Sequence, residues 1–219
     1  MMFPLFCFYG EVMSTPRFIA DLHLGHRNIY KYRQVFDSTK HNDLYFIRIL
    51  QEYCKKRDTM YFLGDICFDE FYLDMIKELP GQKILIAGNH CTEYIPMKKL
   101  VEVYDDIHAL LKYKDFWLSH APLSDVELRG KRNIHGHVHA QSVQDIKYLN
   151  TSVDSEFMRF LPRTLHEVRE AFETMERTGL HFGGLEARDE ALGVIMSDPV
   201  SKAAYEWAKK EAERISVFQ

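Results

Sequence analysis

Residues 83–90 read Lys83-Ile84-Leu85-Ile86-Ala87-Gly88-Asn89-His90. Four apolar residues in succession, Ile84 to Ala87, follow Pro80-Gly81 and stop at a glycine. A run of this kind predicts a short central strand covered on both faces. Gly88 lets the chain turn sharply and bring backbone close to a neighbour. Immediately beyond it stand an amide oxygen and an imidazole, at the C-terminal strand edge where open α/β sheets place their sites.

Working outward, the same punctuation recurs. Arg17 to Ala20 is a short strand that ends in Asp21-Leu22-His23-Leu24-Gly25-His26, and Thr59 to Leu63 is another that ends in Gly64-Asp65. Downstream, Ile107 to Leu111 and Asp115 to Leu118 read as hairpin strands around Lys112-Tyr113-Lys114, the second ending at Ser119-His120. Asn133-Ile134 leads into His135-Gly136-His137-Val138-His139, and Ile146 to Leu149 reads as a closing strand. Between these runs, helical spacing marks Asp43 to Lys56, with Asn42 as its cap, and Asp69 to Leu79, stopped by Pro80-Gly81. Asn28 to Arg33 begins a helix or an irregular loop, and Met97 to Val103 is a short helical or turn region. Alternation of strands and helices predicts an α/β fold.

The pattern changes near Pro162. Thr164-Leu165-His166-Glu167 is a capping box, Gly179 closes its helix, and a loop at Gly183-Gly184 intervenes. Asp198-Pro199 then opens a helix whose apolar face carries Val200, Ala203, Trp207, Ala208, Ala212 and Ile215. The chain therefore divides into an N-terminal segment (1–16), a core (17–160) and a helical C-terminal extension (161–219) packed on the core. The segment 1–16 is either an extra strand or sequence ahead of a more natural start at Met13.

Totals narrow the chemistry. With 219 residues, 46% hydrophobic and 27% charged, the chain has the composition of a soluble globular protein. A formal charge of -4 provides no global attraction for long nucleic acid or an anionic membrane. The four cysteines, Cys7, Cys54, Cys67 and Cys91, show no zinc-ribbon spacing, and a cytoplasmic location is expected.

The strand ends deliver Asp21 and His23, Asp65, Asn89 and His90, His120, and His137 and His139. On extended backbone, residues two apart address the same side, so Asp21 and His23 can reach one ion. Carboxylate, amide and imidazole ligands without thiolate suit Mn²⁺, Fe, Zn²⁺ or Co²⁺. Eight groups exceed one tetrahedral zinc and match two ions. Each motif alone is an ordinary turn; their conjunction predicts a metal site.

In this order, Asp21-x-His23, Gly64-Asp65, Gly88-Asn89-His90, His120 and Gly136-His137-x-His139 resemble the signature of the calcineurin-like metallophosphoesterases. The forms DLHLGHRNI and NIHGHVH are most similar to its compact bacterial and phage branch. The resemblance covers residues 17 to 150 and implies a β-sandwich of two mixed sheets flanked by helices. It also implies two divalent ions, Mn²⁺ first and Fe, Zn, Ni or Co as alternatives. Asp21, His23 and His139 would hold one, Asn89, His120 and His137 the other, with Asp65 bridging. His90 would face the substrate and stabilise or protonate the leaving oxygen while a bridging hydroxide attacks phosphorus in line. Two departures stand out: Cys91 occupies a position that many relatives give to an acid, and Gly64-Asp65-Ile66-Cys67-Phe68-Asp69 is one residue longer than the usual second motif.

The resemblance thus implies a metal-dependent phosphoric ester hydrolase acting on a small phosphodiester or nucleotide-type monoester. The alternative is a non-catalytic metal-binding scaffold or partner-binding module on the same fold. A nuclease of long DNA would want a basic groove or an added recognition domain. His26 and Arg27 are candidate substrate contacts together with Asn89 and His90. Arg33 is a further phosphate contact or a solvent-exposed side chain, and His135 orients a ligand. A homo-oligomer is compatible with the sequence.

Overall fold

The computed structural model describes residues 14–216; both readings of the N-terminal segment turn on residues 1–13 and lie outside them, as does Cys7. In chain order the elements are β1 (Pro16–Ile19), α1 (Ile29–Tyr32), α2 (Thr39–Tyr53), β2 (Thr59–Phe62), α3 (Glu70–Lys77), β3 (Gln82–Ile86) and α4 (Met97–Leu100). Then follow β4 (Asp106–His108), β5 (Leu110–Tyr113), β6 (Phe116–Ser119), α5 (Asp125–Leu128), β7 (Arg132–His135), β8 (Tyr148–Asn150) and β9 (Arg163–Thr164). The chain ends in α6 (Leu165–Thr178), α7 (Arg188–Ser197) and α8 (Pro199–Ser216).

The fold is α/β, with two mixed sheets flanked by helices. One sheet has the order β4-β3-β2-β1-β9, the other β5-β6-β7-β8. In the first, β1 to β4 run parallel and β9 is antiparallel at the edge. Burial of β3 from Lys83 to Ile86 accounts for its unbroken apolar run. Because the strands are parallel, their C-terminal ends emerge along one side, which brings Asp21, Asp65 and Gly88-Asn89-His90 next to one another. β6 and β7, also parallel, deliver His120 and His137 in the same way. The sheets meet at Ala20, whose N–H donates to Thr151 O (3.0 Å) and whose carbonyl accepts from Val153 N (3.2 Å). The two rows of strand ends therefore face one site.

Several elements differ from the sequence expectation. The first strand of the expected hairpin is two strands: β4 continues the first sheet beside β3, and β5 pairs with β6 in the second, so the chain changes sheets at Ala109. Helix α2 starts a turn before the expected Asp43, capped by Ser38, whose hydroxyl accepts from His41 N (3.1 Å); Asn42 is buried in the helix. In α8 the buried side chains are Ser201, Ala204, Tyr205, Ala208 and Ala212, while Val200 and Trp207 are exposed. Small residues win that face because they let α8 lie close against α2, and Tyr205 reaches the Val35 carbonyl with its hydroxyl (2.7 Å). The expected capping box of α6 is present, and Gly179 ends the helix at φ +70°. The segment from 161 onward is not purely helical, because β9 extends the first sheet and α7 intervenes before α8. Among the described residues, no helix is long and apolar enough to cross a membrane.

Candidate metal centre

Each predicted ligand sits on a turn that leaves a strand, and the backbone there is unusual. Asp21, His23, Asp65, His137 and His139 all have positive φ, between +52° and +74°. A non-glycine residue in this region costs on the order of 1–3 kcal/mol, and such outliers concentrate at functional sites. The glycines of the motifs press directly on the ligands. A Cβ on Gly64 would lie 2.3 Å from His120 Nδ1, one on Gly88 2.3 Å from Asp65 Oδ1, and one on Gly136 2.5 Å from Asp21 Oδ2. Side chains at those positions would push the ligands apart.

Two groups of atoms that could ligate a metal form. Asp21, His23 and His139 make the first and Asp65, His120 and His137 the second, each with its donor atoms within 4.8 Å of one another. In the first, Asp21 is fully buried. Its Oδ2 accepts from Ser152 Oγ (2.7 Å) and His137 N (2.8 Å). Its Oδ1 is buried without a hydrogen-bond partner, 3.8 Å from His23 Nε2, which is also buried and unpartnered. Burial alone would raise the Asp21 carboxyl, but neighbouring His23, His139 and His120 bring it down to about 2. Two orphaned donor atoms facing one another are costly unless something binds between them, and carboxylate with imidazole is the chemistry of a divalent cation site. The residues fit the ion.

The second group is knit together by hydrogen bonds. His120 Nδ1 bonds the Leu63 carbonyl (2.8 Å), while its Nε2 lies 3.0 Å from Asn89 Oδ1, 3.1 Å from Asp65 Oδ2 and 3.2 Å from His137 Nδ1. Burial pulls the His120 imidazole down, but Asp65 and Asp21 more than offset it and its proton affinity is raised. Asp65 Oδ1 accepts from His90 N (3.0 Å), tying this ligand to the Gly88-Asn89-His90 turn. Cys91, buried, accepts from Gly88 N (3.1 Å) and Asp65 N (3.4 Å) through Sγ. It braces the turn and does not orient the His90 ring. That task falls to Glu93, whose Oε2 bonds His90 Nδ1.

Other residues reach the centre only through the tertiary fold. Asp154 holds His139 Nδ1 (3.3 Å) and Arg33 Nε (3.0 Å) with one oxygen. Arg33 is buried and also donates to the carbonyls of Leu22 and Asp21. It is a brace under the first motif, neither a phosphate contact nor a solvated side chain. Phe68 packs against the rings of His23, His26 and His90 at centroid distances of 5.1–5.5 Å. The extra residue of the second motif therefore supplies a shared aromatic floor, and Asp69 caps α3. His26 stands edge-on to His23 and lines the adjoining cavity. Arg27 is exposed and absent from that cavity wall. His135 is fully buried and its side chain bonds only the Gly136 carbonyl (2.9 Å), so it makes no hydrogen bond to a candidate ligand's side chain.

No protein-family profile matches the chain. Over 83 residues it is 34% identical to the Gene 66 protein of Mycobacterium phage L5, a span of 36% of this chain and 40% of that protein. The chain thus aligns with less than half the length of this curated relative. It is also similar, at TM-score 0.58 and 27% identity, to the crystal structure of a protein of unknown function from Aquifex aeolicus. That likeness covers 72% of this chain and 98% of the other.

Proposed function

We propose that this protein has the calcineurin-like metallophosphoesterase fold and is a two-metal phosphoesterase acting on a small phosphodiester or nucleotide-type monoester. The observation that carries the reading is the pair of buried, unpartnered atoms Asp21 Oδ1 and His23 Nε2 within reach of His139. Asp21, His23 and His139 would hold one ion and Asn89, His120 and His137 the other, with Asp65 between them. Two divalent ions, Mn²⁺ foremost, would supply Lewis-acid polarisation of the phosphoryl group and a lowered pKa for water.

The protein's own groups do the rest. The ligand turns hold carboxylate and imidazole in strained but braced positions, so little reorganisation accompanies binding. Glu93 fixes Nδ1 of His90 and leaves Nε2 free to donate a proton to the departing oxygen. Local cations would make the pocket attractive to phosphate even though the whole chain carries -4.

The test is metal titration followed by hydrolysis of generic phosphodiesters and monoesters. His90→Ala is expected to keep its metal and lose roughly 100-fold or more in kcat. Asp65→Asn is expected to lose metal itself. No turnover by the wild type across a metal screen would sink the proposal. Equal metal loss in both variants would remove the separate role given to His90.

A further inference from the structure

A cavity of about 850 Å³ opens beside the first ligand group, a volume typical of small-molecule sites. His23, His137 and His139 of the candidate ligand groups line it. Its outer wall carries groups for which the metal centre has no use: Lys31, Tyr32, Gln34, Gln141 and Glu186. Tyr32 is 76% exposed, so this wall offers a large aromatic face to a ligand. The two glutamine amides each present donors and an acceptor, and Glu186 adds an acceptor.

Glu186 comes from the C-terminal segment, and its loop is held in place. Leu185 N donates to Asp154 O (2.8 Å), and Glu156 N donates to Gly183 O (2.9 Å). A Cβ on Gly184 would lie 2.0 Å from the Ala140 carbonyl oxygen. Ala140 follows His139 directly, so the loop carrying Glu186 rests against the turn carrying a ligand. The segment beyond the core is thereby part of the site.

Resting on the metal-centre reading above, we infer that this cavity receives the organic arm of the substrate and that this arm is a nucleoside. Tyr32 stacks on the base, Gln34 and Gln141 meet its polar edge, and Glu186 accepts from a sugar hydroxyl or an exocyclic amine. A flat heteroaromatic with donors and acceptors on its rim matches this wall. Ile29, Val138 and Ala140 add apolar surface that a base can cover; a lipid tail would leave Lys31, the glutamines and Glu186 unpaired, and a nucleic acid backbone would want more cations than Lys31.

Calorimetry on the Mn²⁺-loaded protein, comparing a nucleoside monophosphate with methyl phosphate, tests this. The nucleotide is expected to bind roughly tenfold tighter or more. Tyr32→Ala and Glu186→Ala should each shrink that preference, and Tyr32→Phe should retain it. In parallel, the kcat/KM ratio of a nucleoside p-nitrophenyl diester over methyl p-nitrophenyl phosphate should fall in the same variants. Equal affinity for both phosphates, or a preference that survives Tyr32→Ala and Glu186→Ala, would overturn the inference and leave the metal centre standing. Failure of both phosphates to bind would overturn the metal-centre reading, and the inference with it.

Discussion

The seam between α2 and α8 and the turns around the candidate metal centre obey opposite rules. In the seam, Ala204, Ala208 and Ala212 let two regular helices pack closely, and the polar groups of His41 and Tyr205 are matched, while Ser201 Oγ has no partner. His41 shows this well: Nδ1 accepts from Asp37 N (3.3 Å) and Nε2 bonds the Tyr205 carbonyl (3.3 Å), which suits a neutral ring. In the turns, five candidate ligands sit at positive φ, and Asp21 Oδ1 and His23 Nε2 are buried without partners. The comparison teaches that strained backbone and unmet polar atoms concentrate at the site, although Lys114, Arg129, Arg159 and Phe160 also have positive φ and Arg17 Nε, His181 Nδ1 and Ser201 Oγ are also buried without partners.

Asp154→Ala should break that separation, because Asp154 serves both ends. Its loss strands the buried Arg33 and frees His139, so denaturant unfolding should show about 3–5 kcal/mol lower stability. Calorimetric Mn²⁺ affinity should fall roughly 10–100-fold as well. Unchanged affinity would mean that His139 needs no positioning partner. Ala208→Leu should sharpen the comparison from the other side. Overpacking the seam is expected to cost about 1–3 kcal/mol in urea unfolding while Mn²⁺ stoichiometry stays the same.

The remaining effect concerns acid. Burial lowers the His41 imidazole from 6.5 to about 4. Because the folded value lies below the unfolded one, the unfolded chain takes up the proton first as pH falls. His41 then subtracts stability between about pH 6.5 and 4, by about 2 kcal/mol on going from neutral pH to pH 5. Urea midpoints measured over this range should slope less in His41→Gln. An identical slope in the variant would place the acid sensitivity elsewhere.

Much of the site was legible because its signals are local. A buried strand followed by Gly and a polar residue is a short-range pattern, and parallel strands necessarily gather their C-terminal ends. The candidate ligands Asp21, His23, Asp65, Asn89, His120, His137 and His139 therefore come together as the sequence suggests. The hidden parts act over long separations. Asp154 reaches Arg33 across 121 positions, and Ser152 reaches Asp21 across 131. Arg33 could not be recognised as a brace without its partners. Glu93 was closer, three residues from His90, and an acid at that spacing in a turn was the signal that could have found it. The outward turn of Trp207 was equally hidden, because helical periodicity gives a face but not which small residues a neighbouring helix will accept.

The amino-acid sequence by itself determined the alternation of strands and helices, the polar strand ends and the donor chemistry they offer, since these depend on neighbours within a few residues. Only the tertiary structure decided that the chain changes sheets at Ala109, that Cys91 braces while Glu93 orients, and that Glu186 from the far segment lines the cavity. Those outcomes depend on which distant backbones approach closely enough to exclude a Cβ or share a carboxylate, and no local pattern encodes that distance.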